Sequence, residues 1–110
     1  MPNHLFFALT NPVKGREAEF EEWYDQRHLG EVLSIPGFVT AQRYRLSPKQ
    51  RAGEAPPWEF LALYEYEGDV ESIHENVLAH RHQMTLSDAC APDHAAWVYS
   101  PIGSRRNKAA

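Results

Sequence analysis

A chain of 110 residues with a net charge of -4 holds one domain with a real core and little room for a deep cavity. The acidic balance argues against nucleic acid, which draws strongly basic faces, and the absence of any run of about 18 apolar residues argues against a membrane span. One cysteine, Cys90, excludes a disulfide framework and a multi-cysteine metal cluster; with no charged, apolar leader, the expected compartment is the reducing cytoplasm.

His4 to Thr10 predicts a strand, and Leu5-Phe6-Phe7-Ala8-Leu9 is apolar on both faces. Asn11-Pro12 ends it. Gly15 opens a helix from about Arg16 to about His28, acidic in its early turns, with Phe20, Trp23 and Tyr24 as its buried stripe. Arg27 falls seven residues after Phe20, in the middle of that stripe, so either the helix frays there or Arg27 meets something polar. Glu31-Val32-Leu33 adds a short turn, and Ile35-Pro36-Gly37 stops it. Phe38 to Leu46 alternates as a strand, with Phe38, Thr40, Gln42 and Tyr44 on one face and Val39, Ala41, Arg43 and Arg45 on the other. A polar loop follows from Ser47 to Pro57. Trp58 to Tyr66 predicts a third strand, and Asp69 N-caps a second helix with Val70, Ile73, Val77 and Leu78 as its apolar stripe, through about Met84. Ala95 to Tyr99 is the last strand.

The order strand, helix, strand, strand, helix, strand predicts a ferredoxin-like α+β fold: a four-stranded antiparallel sheet with two helices on one face. One domain covers residues 1–102, and the basic end, residues 103–110, reads as a flexible tail. The other sheet face is apolar and uncovered, so it needs a partner, and a second copy packed sheet on sheet is the economical one.

Asn11-Pro12-Val13-Lys14-Gly15-Arg16-Glu17, Glu22-Trp23-Tyr24-Asp25, His28-Leu29 and Pro36-Gly37-Phe38 through Tyr44 resemble EthD-like members of the dimeric α+β-barrel superfamily. The resemblance implies two ferredoxin-like chains forming a barrel, with a pocket in each subunit between sheet and helices. It leaves the reaction open, because relatives include cofactor-free monooxygenases, polyketide cyclases, muconolactone-type isomerases and haem proteins. Many members carry proline where this chain has Gly30, a change that loosens the turn carrying His28.

His28 is the leading chemical candidate, since histidine titrates near neutrality and serves as a general acid or base. Tyr24 and Asp25 precede it by four and three residues, close enough on a helix for Asp25 to orient the ring and Tyr24 to donate to a substrate oxygen. The competing role for His28 is to cap the helix end. His4 faces either the pocket or solvent at the sheet edge. Phe20, Trp23 and Phe38 supply apolar surface, as core or as substrate wall. Arg43 either binds an anionic substrate or pairs with Glu59 or Glu65 across the sheet. His80 and His82 lie two apart in a predicted helix and do not share a face, so no metal site is expected; nor is any cofactor.

These residues predict a small cofactor-independent enzyme acting on a hydrophobic aromatic or polyketide-like molecule by proton transfer, of lyase, dehydratase, cyclase or isomerase type. Two alternatives use the same pocket: a cofactor-free monooxygenase and a non-catalytic ligand-binding or stress-response module. The expected assembly is a homodimer, with neither nucleic acid nor membrane as partner.

Overall fold

The computed structural model describes residues 3–51 and 53–109. Strand β1 (His4–Thr10) leads into helix α1 (Glu17–Trp23), a π-helical turn (Tyr24–His28) and helix α2 (Leu29–Leu33). Strands β2 (Phe38–Arg45) and β3 (Phe60–Tyr66), helix α3 (Ser72–His80), a 3-10 turn (Arg81–Gln83) and strand β4 (Ala95–Tyr99) follow. The sheet order is β2-β3-β1-β4, antiparallel throughout. This is the ferredoxin-like arrangement that the element order predicts, with the helices on one sheet face.

The core forms where the helices meet the inner face. Phe60, Ala62, Tyr64 and Tyr66 of β3 are buried there and alternate with half-buried Leu61, Leu63 and Glu65. Phe20, Tyr24, Val32, Ile35 and Ile73 cover them from above. The outer face carries Leu5, Phe7 and Leu9 of β1 beside Trp97 and Tyr99 of β4, the last two 57% and 61% exposed.

Four local expectations need correction. Strand β2 contains a bulge: Phe38 pairs with Tyr66, but Thr40 pairs with Glu65, so Val39 is the extra residue. Phe38 therefore shares the inner face with Ala41 and Arg43, not the outer face with Thr40, Gln42 and Tyr44. Strand β3 begins at Phe60, and Trp58 lies before it, its indole N–H donating to the Asp93 carbonyl at 3.2 Å. The second helix ends at His80, and Asp69 starts it through its backbone carbonyl, which accepts from the Ser72 N–H and hydroxyl. Of its predicted stripe only Ile73 is fully buried; Val77 is half-buried, while Val70 and Leu78 are exposed.

The fourth correction concerns the first helix, which does not end at His28. It runs on to Leu33, with Gly30 inside it in open surroundings: an added Cβ would meet nothing within 4 Å. A helical glycine leaves the unfolded chain unusually free. Gly30→Ala is expected to stabilise the fold by about 0.5–1 kcal/mol. Urea unfolding checks this: the midpoint rises with the slope unchanged.

Candidate functional site

The site begins with the π turn. On a regular α-helix, Arg27 would fall roughly 20° from Phe20 around the axis and His28 roughly 80° away. The turn from Tyr24 to His28 is wider by one residue: the Leu29 N–H reaches the Tyr24 carbonyl, five residues back. That insertion rotates Arg27 outward, where it is exposed and donates to the Thr85 hydroxyl at 3.1 Å. His28 is turned inward instead, its side chain 16% exposed. Such single π turns recur at functional sites because they re-aim a side chain within an unbroken helix.

Aromatic neighbours hold the imidazole in place. The Trp23 ring stacks on it at 4.5 Å and 22°, and the Tyr24 ring meets it edge-on at 5.0 Å. The Trp23 indole is fixed in turn by donation to the Thr85 carbonyl at 2.6 Å. Beneath His28 lies an apolar cavity of about 150 Å³ between the helices and the sheet. Phe6, Ala8, Phe38 and Tyr64 form its sheet side; Val32, Ile35, Val77 and Met84 close the rest. Phe38 stands edge-on to Phe6 and Tyr64, at 5.8 and 5.9 Å between ring centres.

Two of the lining residues, His28 and Tyr64, carry polar groups. The His28 Nδ1 and the Tyr64 hydroxyl are both buried and without a hydrogen-bond partner. Burial pushes the His28 pKa below its ordinary 6.5, with the Glu31 carboxylate pulling the other way. The ring is therefore neutral at pH 7 and able to accept a proton. Burial raises the Tyr64 hydroxyl far above its usual range, and the neighbouring Tyr24 adds to the effect. Tyr64 thus stays protonated, a donor and not an anion. Tyr24 is likewise raised by burial.

The remaining predicted site residues lie elsewhere. Asp25 does not orient His28: its carboxylate accepts from Arg43 at 2.9 Å and is exposed, and the carboxylate beside the His28 Nδ1 belongs to Glu31, at 3.9 Å. Arg43 pairs with Glu21 and Asp25 of the helix, not with Glu59 or Glu65; Glu59 pairs with Arg45. Burial works against the Arg43 charge, but those two carboxylates outweigh it and hold its pKa up. Its guanidinium lies 4.9 Å from the centre of the Tyr24 ring and braces the helix against the sheet. Phe20 is sealed in the core against Phe60 and Tyr24. Trp23 borders an open surface groove with Thr85 to Asp88, and its contribution to the site is the stack on His28. His4 meets the Ser100 hydroxyl at 2.9 Å at the end of the sheet.

The residues that sequence reasoning missed are Tyr64 and Glu31. The alternation in β3 places Tyr64 on the inner face, but nothing in sequence marks its hydroxyl as unpartnered. Glu31 follows His28 by three residues, a neighbour on any helix that continues past Leu29. Among the described residues, no three His, Cys, Asp or Glu side chains are grouped to hold a metal ion, and no helix is long and apolar enough to cross a membrane.

No family model and no curated protein matches the sequence. Solved structures do. A candidate monooxygenase from Shewanella loihica PV-4 superposes with a TM-score of 0.62 at 10% identity, over 94% of this chain and 99% of the other. A variant of SnoaB, a cofactor-independent oxygenase from Streptomyces nogalater, superposes with a TM-score of 0.58 at 17% identity, over 93% and 96%. At such identities the likeness establishes the shared fold.

Proposed function

We propose that the protein is a cofactor-independent oxygenase that uses His28 as a general base on a small electron-rich phenol. The observation that carries this reading is a mostly buried imidazole, fixed by the Trp23 stack, on the wall of an apolar cavity. The cavity volume of about 150 Å³ sets the substrate size, since an engineered apolar cavity of that volume takes up benzene.

The chemistry follows from the lining. His28 removes the phenol proton, and the Tyr64 hydroxyl donates to the phenolate oxygen as its charge grows. Both act in a dry site, where such groups are more effective than in water. The phenolate passes one electron to molecular oxygen, and the resulting pair combines at the ring carbon opposite the oxygen. The imidazolium returns its proton to the peroxide so formed. Loss of the ring C–H proton and of water across that carbon then leaves a quinone. One phenol and one oxygen molecule give one quinone and one water. The two structural neighbours described as oxygenases support this choice over a lyase or isomerase, which would use the same base without consuming oxygen. The test is oxygen uptake on a panel of methoxy- and hydroxy-substituted phenols, with His28→Gln as the control. Ring binding without turnover of any phenol would favour a non-catalytic binding module.

The protein works, on this proposal, as a two-fold dimer packed through the outer sheet face. Phe7 and Tyr99 pack there with tilted rings at 5.1 Å, Trp97 is exposed beside them on β4, and Tyr44 is exposed on the opposite edge strand, β2. An apolar face of this kind on a small domain is a docking surface for its own copy. Light scattering then gives twice the 12.6 kDa chain mass for wild type and the chain mass for Trp97→Glu, whose exposed position leaves the subunit fold intact. A wild type of 12.6 kDa at micromolar concentration contradicts the dimer.

A further inference from the structure

We infer that Glu31 is a positioning residue for His28: its carboxylate fixes the imidazole tautomer and balances the imidazolium that forms when the ring takes up a proton. The inference rests on His28 being the base, but its geometry is independent of any substrate. Glu31 Oε1 and His28 Nδ1 are 3.9 Å apart, both buried and both without a hydrogen-bond partner. Their side chains are 18% and 16% exposed. The other carboxylate oxygen, Oε2, accepts the Thr85 N–H at 2.9 Å. Glu31 is thus anchored through one oxygen and aims the other at the ring.

A buried carboxylate oxygen without a donor is costly, and the nearest available donor is a proton on Nδ1. That proton makes Nδ1–H the favoured neutral tautomer and leaves the lone pair on Nε2. When Nε2 accepts the substrate proton, both nitrogens carry hydrogen, and the new charge lies beside the carboxylate. The small remaining gap closes by a modest rotation of either side chain. The other groups that face the ring are Trp23 and Tyr24 of the helix, Tyr64 of β3, Val77 of α3 and Met84 beyond it. All are uncharged at neutral pH, so among the described residues Glu31 is the charge that acts on the imidazole at close range.

The anchor is itself well held. Thr85 receives the Trp23 indole N–H on its carbonyl at 2.6 Å and the Arg27 guanidinium on its hydroxyl at 3.1 Å. Three residues of one helical face, at four-residue spacing, therefore grip the segment directly after Met84. The grip fixes the carboxylate and holds the chain next to Met84, which borders the cavity. Arg27, turned outward by the π turn, finds its place in this grip.

Glu31→Gln tests the inference without any substrate, in protein whose histidines carry nitrogen-15. The glutamine carbonyl keeps the Thr85 N–H bond, so the fold is preserved, while its amide now donates to Nδ1. Wild type is expected to hold His28 as the Nδ1–H tautomer. In Glu31→Gln the ring nitrogen shifts are expected to report Nε2–H, and the titration to move down by roughly one pH unit through loss of the nearby charge. The His28 signals are those absent from His28→Gln. An identical tautomer and titration midpoint in wild type and Glu31→Gln would overturn the positioning role. The two readings fail separately: undiminished turnover in His28→Gln sinks the base, whereas unmoved nitrogen shifts in Glu31→Gln sink its partner.

Discussion

His28→Gln is expected to lower kcat/KM by about 10²- to 10⁴-fold, the range for loss of a positioned general base. The apolar lining from Phe6 to Met84 is untouched by the change, so the Kd for a one-ring ligand should stay within a few-fold. Such a split separates a base from a wall residue. Phe38→Ala is the counterpart: it enlarges the cavity and weakens binding. The pH profile gives a second reading of the same group. Burial sets the His28 pKa below 6.5, so the acid limb of kcat/KM lies below 6.5, with activity rising as the ring becomes neutral. The sign for stability follows from the same shift. The unfolded chain protonates His28 near 6.5 while the folded state resists, so its contribution is present above 6.5 and is lost as the pH falls from 6.5 through the lower folded-state pKa. In His28→Gln that part of the acid slope is absent. An acid limb at or above pH 7 would place the titrating group elsewhere.

Gly37→Ala is expected to be the most damaging single-methyl change in the chain. Gly37 sits at φ +99°, in the region that side chains avoid, and a Cβ there would drive into the Tyr66 ring. That ring cannot step aside. Its hydroxyl is bonded to the Ser72 hydroxyl at 2.6 Å and accepts from the Asn76 amide at 2.7 Å. The Asn76 amide also donates to the Pro36 carbonyl, and the Glu67 N–H donates to the Gly37 carbonyl at 2.7 Å. The turn before β2, the end of β3 and helix α3 are therefore tied at one point. Backbone strain of about 1–3 kcal/mol and overpacking of about 1–3 kcal/mol add to about 2–6 kcal/mol, of which about 3 kcal/mol is expected to remain because part of the clash relaxes. For a domain of this size that lowers Tm by about 10–15 °C. A melting curve within about 2 °C of wild type would show that the turn relaxes freely.

Much of the architecture was legible because strand and helix patterns differ in period. The period-two spacing of Phe60, Ala62, Tyr64 and Tyr66 puts them on one face of β3, which the structure buries, and Pro36-Gly37 marked the entry to β2 correctly. What escaped were one-residue insertions. The bulge at Val39 moved Phe38 to the inner face, and the π turn moved His28 inward and Arg27 outward. Neither has a pattern of its own in a single sequence; each is favoured by the contacts it permits, such as the stack of Trp23 on His28. The site was legible as a neighbourhood, since Tyr24 and His28 do meet. Its partners were not, because which carboxylate meets which cation depends on rotation about the helix. One insertion separated Asp25, the expected neighbour of His28, from Glu31, the observed one.

Oxygen uptake is the most direct test of the central claim that His28 deprotonates a one-ring phenol for reaction with oxygen. Wild-type protein given an electron-rich phenol should consume one oxygen molecule per quinone formed and stop under argon, with His28→Gln nearly inactive. Turnover that continues under argon, or uptake that His28→Gln leaves unchanged, would contradict it.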